Sequence, residues 1–197
     1  MVAAESTLSI LVYRGGPLAM AGHNHVIASH DLVGTLYIPP DPLRATFEIE
    51  VPVAGLTVDE AQLRAQAGSD FAAPVPESAR EGTRRNMLGP AFLNEQAFPQ
   101  IVLRSQSIDR GPGGELQAHV QIEVRQAPHS VLVPFRYELQ PAQVTVSGEL
   151  PVRQSDLGLT PFSALLGALQ VEDEMRVKFR IVARPAPTPS GAGRSPR

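Results

Sequence analysis

Two histidines one residue apart are the clearest candidates for chemistry in this chain. The segment MAGHNHVI contains His23 and His25, and the whole sequence has only five histidines. In an extended strand these two side chains lie on the same face, so both imidazoles could reach one Zn²⁺ or Cu²⁺ ion. Two nitrogen ligands do not complete a metal site, and a third ligand would have to come from elsewhere in the fold.

The histidine pair supports three hypotheses. The histidines bind a transition metal, or they form structural hydrogen bonds near one end of the fold, or they contact the polar head group of a ligand. His30 has the opposite parity along an unbroken strand, and His119 falls on the polar face of its strand, so neither is a clear third ligand. We expect no metal and no cofactor.

The sequence contains no other motif that is typical of an enzyme or of a nucleic-acid-binding protein. The letters HNH do not form the nuclease motif of that name, which separates its residues along a metal-binding unit and needs a basic surface. The formal net charge is −3, and no basic stripe is present, so we expect no nucleic-acid partner. The chain has no Cys, which excludes thiol catalysis and thiolate metal sites. No phosphate-binding loop, G-x-S-x-G elbow or H-E-x-x-H motif occurs.

Three arginines cluster in a predicted helix: Arg80, Arg84 and Arg85. Arg84 or Arg85 could meet a phosphate or a quinone head group at the mouth of a binding site. Alternatively, all three face solvent and keep the helix soluble. We take Arg85 as the candidate polar contact.

Between the termini the dominant hydrophobic period is two. The segment LRATFEIEVPV alternates apolar residues from Leu43 to Val53 with polar ones. Such alternation predicts half-buried antiparallel strands. The same pattern covers 116–124, 131–139, 144–152 and 175–183, and further strands are expected at 7–13, at 23–38 with a bend, and at 99–108.

Strands of this length determine the expected architecture. At about 3.3 Å per residue a ten-residue strand runs roughly 33 Å, and such strands must pack sheet on sheet or close into a barrel. We expect an all-β fold, an extended eight-stranded antiparallel barrel with short helices at its ends. The inward rows are mostly Val, Ala, Leu and Gly, and the chain has no Trp. The sequence therefore predicts a hollow lumen.

Three segments have helical patterns. TVDEAQLRAQAG begins with a capping box, Thr57 and Glu60, and its Glu60 and Arg64 are spaced for an i,i+4 ion pair. PESAREGTRRNMLGP starts with Pro76 at a plausible first helical position. TPFSALLGALQ, with Thr160 as cap, predicts a third helix that could plug one end of the barrel.

The termini and the overall organisation predict one domain, residues 1–184, followed by a disordered tail, residues 185–197, rich in Pro, Gly, Ser and Arg. No segment approaches the roughly 20 apolar residues of a spanning helix. The N-terminal residues lack the basic region and long apolar run of an export signal. We therefore expect a cytoplasmic protein, or a periplasmic one if an export leader precedes these residues.

Two segments carry a family resemblance. TRRNMLGPAFLNEQAFPQIVLRSQSI passes from a short helix through Phe98-Pro99 into a strand. VSGELPVRQSDLGLTPFSALLGALQVEDEMRVKFRI contains an Arg-Ser-Asp-x-Gly turn, formed by Arg153, Ser155, Asp156 and Gly158. In this order, over residues 6–184, the sequence resembles the YceI-like family, lipocalin-like barrels that bind polyisoprenoid lipids.

The resemblance implies a barrel whose apolar lumen holds an isoprenoid chain, such as the tail of a quinone or of a polyprenyl phosphate. It implies binding and carriage of an apolar lipid without catalysis. The Gly22–His25 element would belong to a subset of the family, whose ligand need not be the same. Whether two barrels pair as a homodimer stays open.

The inward rows and the polar candidates together give the predicted ligand-binding residues. The alternative function is a metal-dependent or histidine-dependent enzyme that uses His23 and His25, and a third alternative is a protein-interaction barrel with a packed interior. The predicted lumen contacts are Phe47, Ile49, Val133, Phe135, Tyr137, Val146 and Phe179, with His23, His25 and Arg85 as polar neighbours.

Overall fold

A computed structural model describes residues 1–186 of the chain. The predicted disordered tail therefore lies, from residue 187 onward, outside the described residues. Two α-helices, α1 (Ala61–Gln66) and α2 (Glu77–Leu88), interrupt a chain that is otherwise mostly β. The strands of the described residues are β1 Thr7–Val12, β2 Arg14–Gly15, β3 His25–Ser29, β4 Val33–Tyr37, β5 Thr46–Pro52, β6 Thr57–Val58, β7 Gln100–Arg110, β8 Leu116–Val124, β9 Ala127–Gln140, β10 Gln143–Arg153, β11 Ser163–Ala164, β12 Leu169–Val171 and β13 Glu174–Ala183.

Ten of these strands form one curled antiparallel sheet, in the order β4-β5-β7-β8-β9-β10-β13-β1-β3-β6. A bend separates β3 from β4, and a 3-10 turn, Val53–Gly55, separates β5 from β6. Because β3 pairs with both β1 and β6, and β5 pairs with both β4 and β7, this bent hairpin joins the two sides of the sheet.

The expected fold class is confirmed, and the strand count differs. The bend and the 3-10 turn each divide one long strand into two, so ten segments stand where eight were expected. Counting each bent strand once restores eight around the lumen. The expected bend within residues 23–38 lies between β3 and β4.

The alternation of residues separates a wet outer face from an apolar inner face. On the outside, the guanidinium of Arg104 contacts the carboxylates of Glu48 and Glu123 at 2.7 and 3.2 Å across neighbouring strands. On the inside, Leu150 of β10 stands opposite Val177 of β13, and both side chains contribute to the core. Period-two patterning therefore orients each strand as the sequence predicts.

The helix expectations are confirmed for two segments and wrong for the third. α1 begins at Ala61 instead of Thr57, because Thr57 is already paired in β6, and the Thr57 hydroxyl donates a hydrogen bond to the Glu60 carboxylate. Pro76 occupies the N-cap position of α2. Within the described residues no helix is long and apolar enough to cross a membrane.

The segment TPFSALLGALQ forms a small hairpin, β11 and β12, instead of the expected helix. Leu165 and Leu166 have φ values of 51° and 56°, which a right-handed helix does not permit. The extended conformation is imposed by pairing, because Gln170 and Val171 pair with Gly15 and Arg14 of β2. Tertiary pairing here overrides local helix propensity.

A second, smaller core lies on the outside of the barrel wall. Leu11 of β1 and Val26 of β3 turn outward and pack with Phe71, and all three are buried. Leu63 of α1 and Ala67, the residue that follows α1, cover this cluster. The helix and the Ser69–Phe71 turn thereby fix the position of Asp59, which lies just before α1.

Replacing Gly148 by Ala is expected to destabilise the fold by about 1–3 kcal/mol through overpacking. A β-carbon at Gly148 would lie against the carbonyl oxygen of Pro134 and 2.6 Å from Cζ of Phe179. The matched control is Gly82→Ala on α2, where the nearest atom lies 4.0 Å away, and where alanine is expected to stabilise the helix by up to about 1 kcal/mol. Urea unfolding measures the free energy of unfolding of both variants. Equal values for Gly148→Ala and Gly82→Ala would contradict the prediction.

Candidate ligand-binding site

The barrel encloses a cavity of about 1170 Å³. Small-molecule sites usually measure about 300–1,000 Å³, so this cavity can hold a ligand with a long chain. Every long strand of the barrel contributes aliphatic or aromatic side chains to the wall, among them Ile49, Leu103, Ile122 and Val177. The inward rows of the sequence therefore surround a hollow lumen.

All ten residues proposed as ligand-binding from the sequence line this cavity. Phe47, Ile49, Phe135, Val146 and Phe179 lie along the apolar wall together with Val133 and Tyr137, and His23, His25 and Arg85 also border the cavity. Tyr137 is the most exposed of the seven apolar residues, at 38%. Their contact with a ligand stays a prediction.

One end of the cavity is polar. His25 opens β3, while Thr83, Arg85 and Asn86 project from α2, and all four border the cavity. Gln154 joins them from the end of β10, where its Nε2 donates to the carbonyl of Glu172 at 2.7 Å. An apolar chain in the lumen would thus meet a cluster of hydrogen-bonding groups at this end, whereas the opposite end contributes the hydroxyls of Thr46 and Tyr137.

His25 is held on both ring nitrogens. Its Nδ1 lies 2.6 Å from Oδ2 of Asp59, and its Nε2 lies 3.1 Å from Oγ1 of Thr83. An ionised Asp59 only accepts hydrogen bonds, so Nδ1 must carry the proton. In the neutral imidazole Nε2 then accepts a hydrogen bond from the Thr83 hydroxyl, and the Asp59 carboxylate fixes the orientation of the ring.

Asp59 is a fully buried carboxylate with three partners. Burial alone would raise its pKa, but hydrogen bonds from His25, the Val26 amide and Arg64 outweigh burial and hold the pKa below its usual value. Arg64 donates to Oδ1 of Asp59 at 2.6 Å. Its guanidinium also donates to the carbonyls of Asn24, Phe71 and Ala73.

Acid is expected to remove the stability that the Asp59 carboxylate contributes. Since the pKa of Asp59 is lowered in the folded protein, this contribution is present above the unfolded-state value of about 3.9 and is lost as the pH falls through the folded-state pKa. We expect the stability difference between the wild type and Asp59→Asn to narrow below about pH 4. Unfolding at a series of pH values measures it, and a constant difference down to pH 2 would contradict the argument.

The sequence did not reveal this network. The expected ion pair between Glu60 and Arg64 is wrong, because Glu60 lies before the first turn of α1 and instead contacts Nε2 of His30 at 3.0 Å. Arg64 pairs with Asp59. The available signal was Asp59 itself, because Asp tolerates the left-handed conformation (φ 58°) that turns the chain between β6 and α1.

His23 and His25 have different surroundings, so they fit different hypotheses for the histidine pair. His25 has the geometry of a structural histidine near the barrel end, whereas His23 lies 6.1 Å away, ring centroid to centroid, and borders the cavity. His119 stands on the outer face near Asp109. Among residues 1–186 no group of three or more His, Cys, Asp or Glu side chains is arranged to hold a metal ion.

The two arginines at the end of α2 also differ. Arg84 donates hydrogen bonds to the carbonyls of Ala54 and Leu56, and it does not border the cavity. Arg85 borders the cavity and has no hydrogen bond or ion pair to another side chain among the described residues. Of the two, only Arg85 is therefore placed where a ligand head group could reach it.

A family model for the YceI-like domain matches residues 18–183. The match spans all the long strands of the barrel wall except β1 and includes both histidines of the polar end. The chain belongs to the YceI-like family.

Several solved structures have a similar fold. BcnA of Burkholderia cenocepacia is 16% identical with a TM-score of 0.66, covering 92% of this chain and 98% of its own. A polyisoprenoid binding domain from Saccharophagus degradans, implicated in plant cell wall breakdown, is 8% identical with a TM-score of 0.58, covering 92% and 94%.

A YceI protein of Campylobacter jejuni is 7% identical with a TM-score of 0.56, covering 79% of this chain and 82% of its own. At these identities the likeness establishes the fold alone. A search of the curated proteins gave no match.

Proposed function

We propose that this chain is a non-catalytic binding protein that sequesters or carries an apolar, isoprenoid-type lipid in its lumen. The ligand would be the tail of a quinone or a polyprenyl chain. The observation that carries the proposal is the cavity of about 1170 Å³, whose wall is built from the inward rows of the strands and is mostly apolar.

Energetics favour a long ligand. Burying roughly 400 Å² of apolar ligand surface at about 25 cal/mol/Å² stabilises the complex by about 10 kcal/mol. Association costs roughly 4–15 kcal/mol. A short apolar molecule therefore gains too little, whereas an extended isoprenoid chain that follows the lumen gains enough to bind.

The polar end would receive the head group of the ligand. Thr83 and His25 hydrogen-bond each other and both border the cavity, so a ligand hydroxyl or carbonyl could exchange with that bond. Arg85 borders the same end and would attract an anionic head such as a phosphate. The Saccharophagus degradans domain, a polyisoprenoid binding domain with the same fold, supports the ligand class.

Extraction of the purified full chain with organic solvent tests this function. Mass spectrometry of the extract is expected to identify an isoprenoid-type lipid, and native mass spectrometry should show the protein with that mass added. Metal analysis of the same sample addresses the alternative enzyme. Absence of any extractable lipid, together with failure to bind added geranylgeraniol, would refute the proposal.

A histidine-dependent enzyme that uses His23 and His25 is the second candidate, and one observation favours it. The side chains of Thr83, His25 and Asp59 follow the order of nucleophile, base and orienting carboxylate. The binding function predicts no hydrolysis of p-nitrophenyl acyl esters above background. Hydrolysis by the wild type that disappears in both Thr83→Val and His25→Gln would establish the enzyme instead.

A further inference from the structure

An uncharged apolar surface adjoins the polar end of the cavity. It consists of residues 15–22 and 157–171, which contain no Asp, Glu, Lys or Arg, and we call it the hairpin platform. Pairing of β12 with β2 and a hydrogen bond from the Leu18 amide to the Ala168 carbonyl at 2.8 Å hold the two segments together. Its exposed apolar side chains are Leu18, Met20, Phe162, Leu165 and Leu166.

The tip of the platform, Leu165 and Leu166, has a backbone conformation that costs free energy in the isolated fold. Leu165 and Leu166 both have left-handed backbone conformations, which Gly and Asn adopt far more readily than Leu. Neither side chain is buried in return, since Leu165 is 68% exposed and Leu166 is fully exposed. Two leucines therefore occupy positions where the isolated fold gains nothing from them, which points to a partner outside the chain.

We propose that the hairpin platform docks the barrel onto the surface of a lipid bilayer, with the two leucines inserted at the boundary of head groups and acyl chains. The proposal goes beyond the lumen function, because docking does not require an occupied lumen. A protruding tip needs no complementary groove in a fluid apolar phase. A segment without charged side chains can enter that phase without burying a charge.

The platform is continuous with the cavity. Gly22, Phe162, Ser163 and Leu169 border the cavity and belong to the platform segments. A docked barrel would therefore present this end of its cavity to the membrane, and an apolar chain could pass between bilayer and lumen with little exposure to water.

The opposite end of the barrel lacks this combination. It also exposes apolar side chains, including Tyr37 and Leu139, but charged residues, Asp41 and Glu138, lie close to them in the sequence. The Glu5 carboxylate pairs with Arg184 at 2.8 Å, and Arg184 also donates to Gln143 beside the end of the lumen. Burial of this rim in a bilayer would require desolvation of those charges.

Both signs of charge flank the platform. Arg14 donates to the carbonyl of Gly22 at 2.8 Å on one side, and Glu172 and Asp173 follow the platform in the sequence on the other. Docking should therefore not depend on anionic lipids, and it should be insensitive to salt.

The absence of Trp from the chain makes the test direct. In the full-length variant Leu166→Trp the only indole stands at the tip, and vesicles of pure phosphatidylcholine are expected to shift its fluorescence to the blue. The matched control is Leu132→Trp, at an exposed leucine on the outer face of β9, whose emission should not change. An unshifted Leu166→Trp spectrum at saturating lipid would overturn the proposal.

A second variant separates docking from folding. Leu165→Asn with Leu166→Gly places residues that tolerate a left-handed backbone at the tip, so the fold should be retained. We expect the vesicle concentration for half-maximal binding, measured by flotation, to rise about tenfold or more. Leu132→Asn should leave it unchanged. If the tip variant instead dissociates a dimer and vesicles have no effect, the occupant is a second copy and the proposal is wrong.

Docking to vesicles is expected to be independent of whether the lumen holds a ligand. A variant whose lumen is filled, Val133→Trp, should dock as well as the wild type, with flotation as the readout. Loss of lipid retention with normal flotation would concern the lumen alone, and loss of flotation with normal lipid retention would overturn docking alone.

Discussion

Replacing Asp59 by Asn is expected to lower the free energy of unfolding by about 3–5 kcal/mol, the range observed when one partner of a buried ion pair is removed. The carboxylate is fully buried and accepts hydrogen bonds from His25, the Val26 amide and Arg64. Without its charge, the Arg64 guanidinium stays in a largely buried position, at 12% exposure, without an anion to balance it. Urea unfolding measures the loss.

Asn is the informative substitution because it tolerates the left-handed backbone of residue 59 (φ 58°). The loss then reports the charge and not backbone strain. The control is Glu48→Gln, which removes an exposed partner of Arg104 on the outer face and should change stability very little. A loss for Asp59→Asn no larger than that of Glu48→Gln would contradict the interpretation.

Replacing Val133 by Trp is expected to reduce lipid retention by about tenfold or more, because the indole fills space that a ligand chain would occupy. Val133 faces the lumen, and its neighbour Leu132 faces outward at 45% exposure. The two residues are adjacent on β9, so Val133→Trp and Leu132→Trp make the same chemical change on opposite sides of one wall.

The measurements are the amount of lipid extracted per mole of protein and the affinity for geranylgeraniol. Leu132→Trp should match the wild type in both. If Val133→Trp fails to fold, the smaller Val146→Phe, also at a cavity-lining residue, provides the test. Unchanged lipid retention in a folded Val133→Trp variant would place the ligand outside the lumen.

The barrel wall was predictable because its physics is local. A strand with one dry and one wet face requires alternation in its own residues, so Phe47 and Ile49 reveal their inward direction without knowledge of their neighbours. Glu48, between them, forms its ion pair outside. The hollow lumen follows from the same rows and from the small size of their residues.

The remainder depends on contacts distant in sequence. Asp59 meets His25 across 34 positions, and Thr83 meets the same ring across 58. No local pattern specifies these partners. Likewise, the segment with Leu165 and Leu166 has helical spacing on its own, and it becomes a hairpin only because β2 is present to pair with it.

The position of β1 between β13 and β3 bears on how the protein is made. The hydroxyl of Ser6 accepts a hydrogen bond from the Val182 amide at 3.0 Å, so the start of the chain is sealed against its last strand. During synthesis β1 and β10 each have an unpaired edge until β13 has left the ribosome. The apolar inner face of the sheet is then exposed to water. The ring is thus expected to close late in folding, only after β13 has been synthesised.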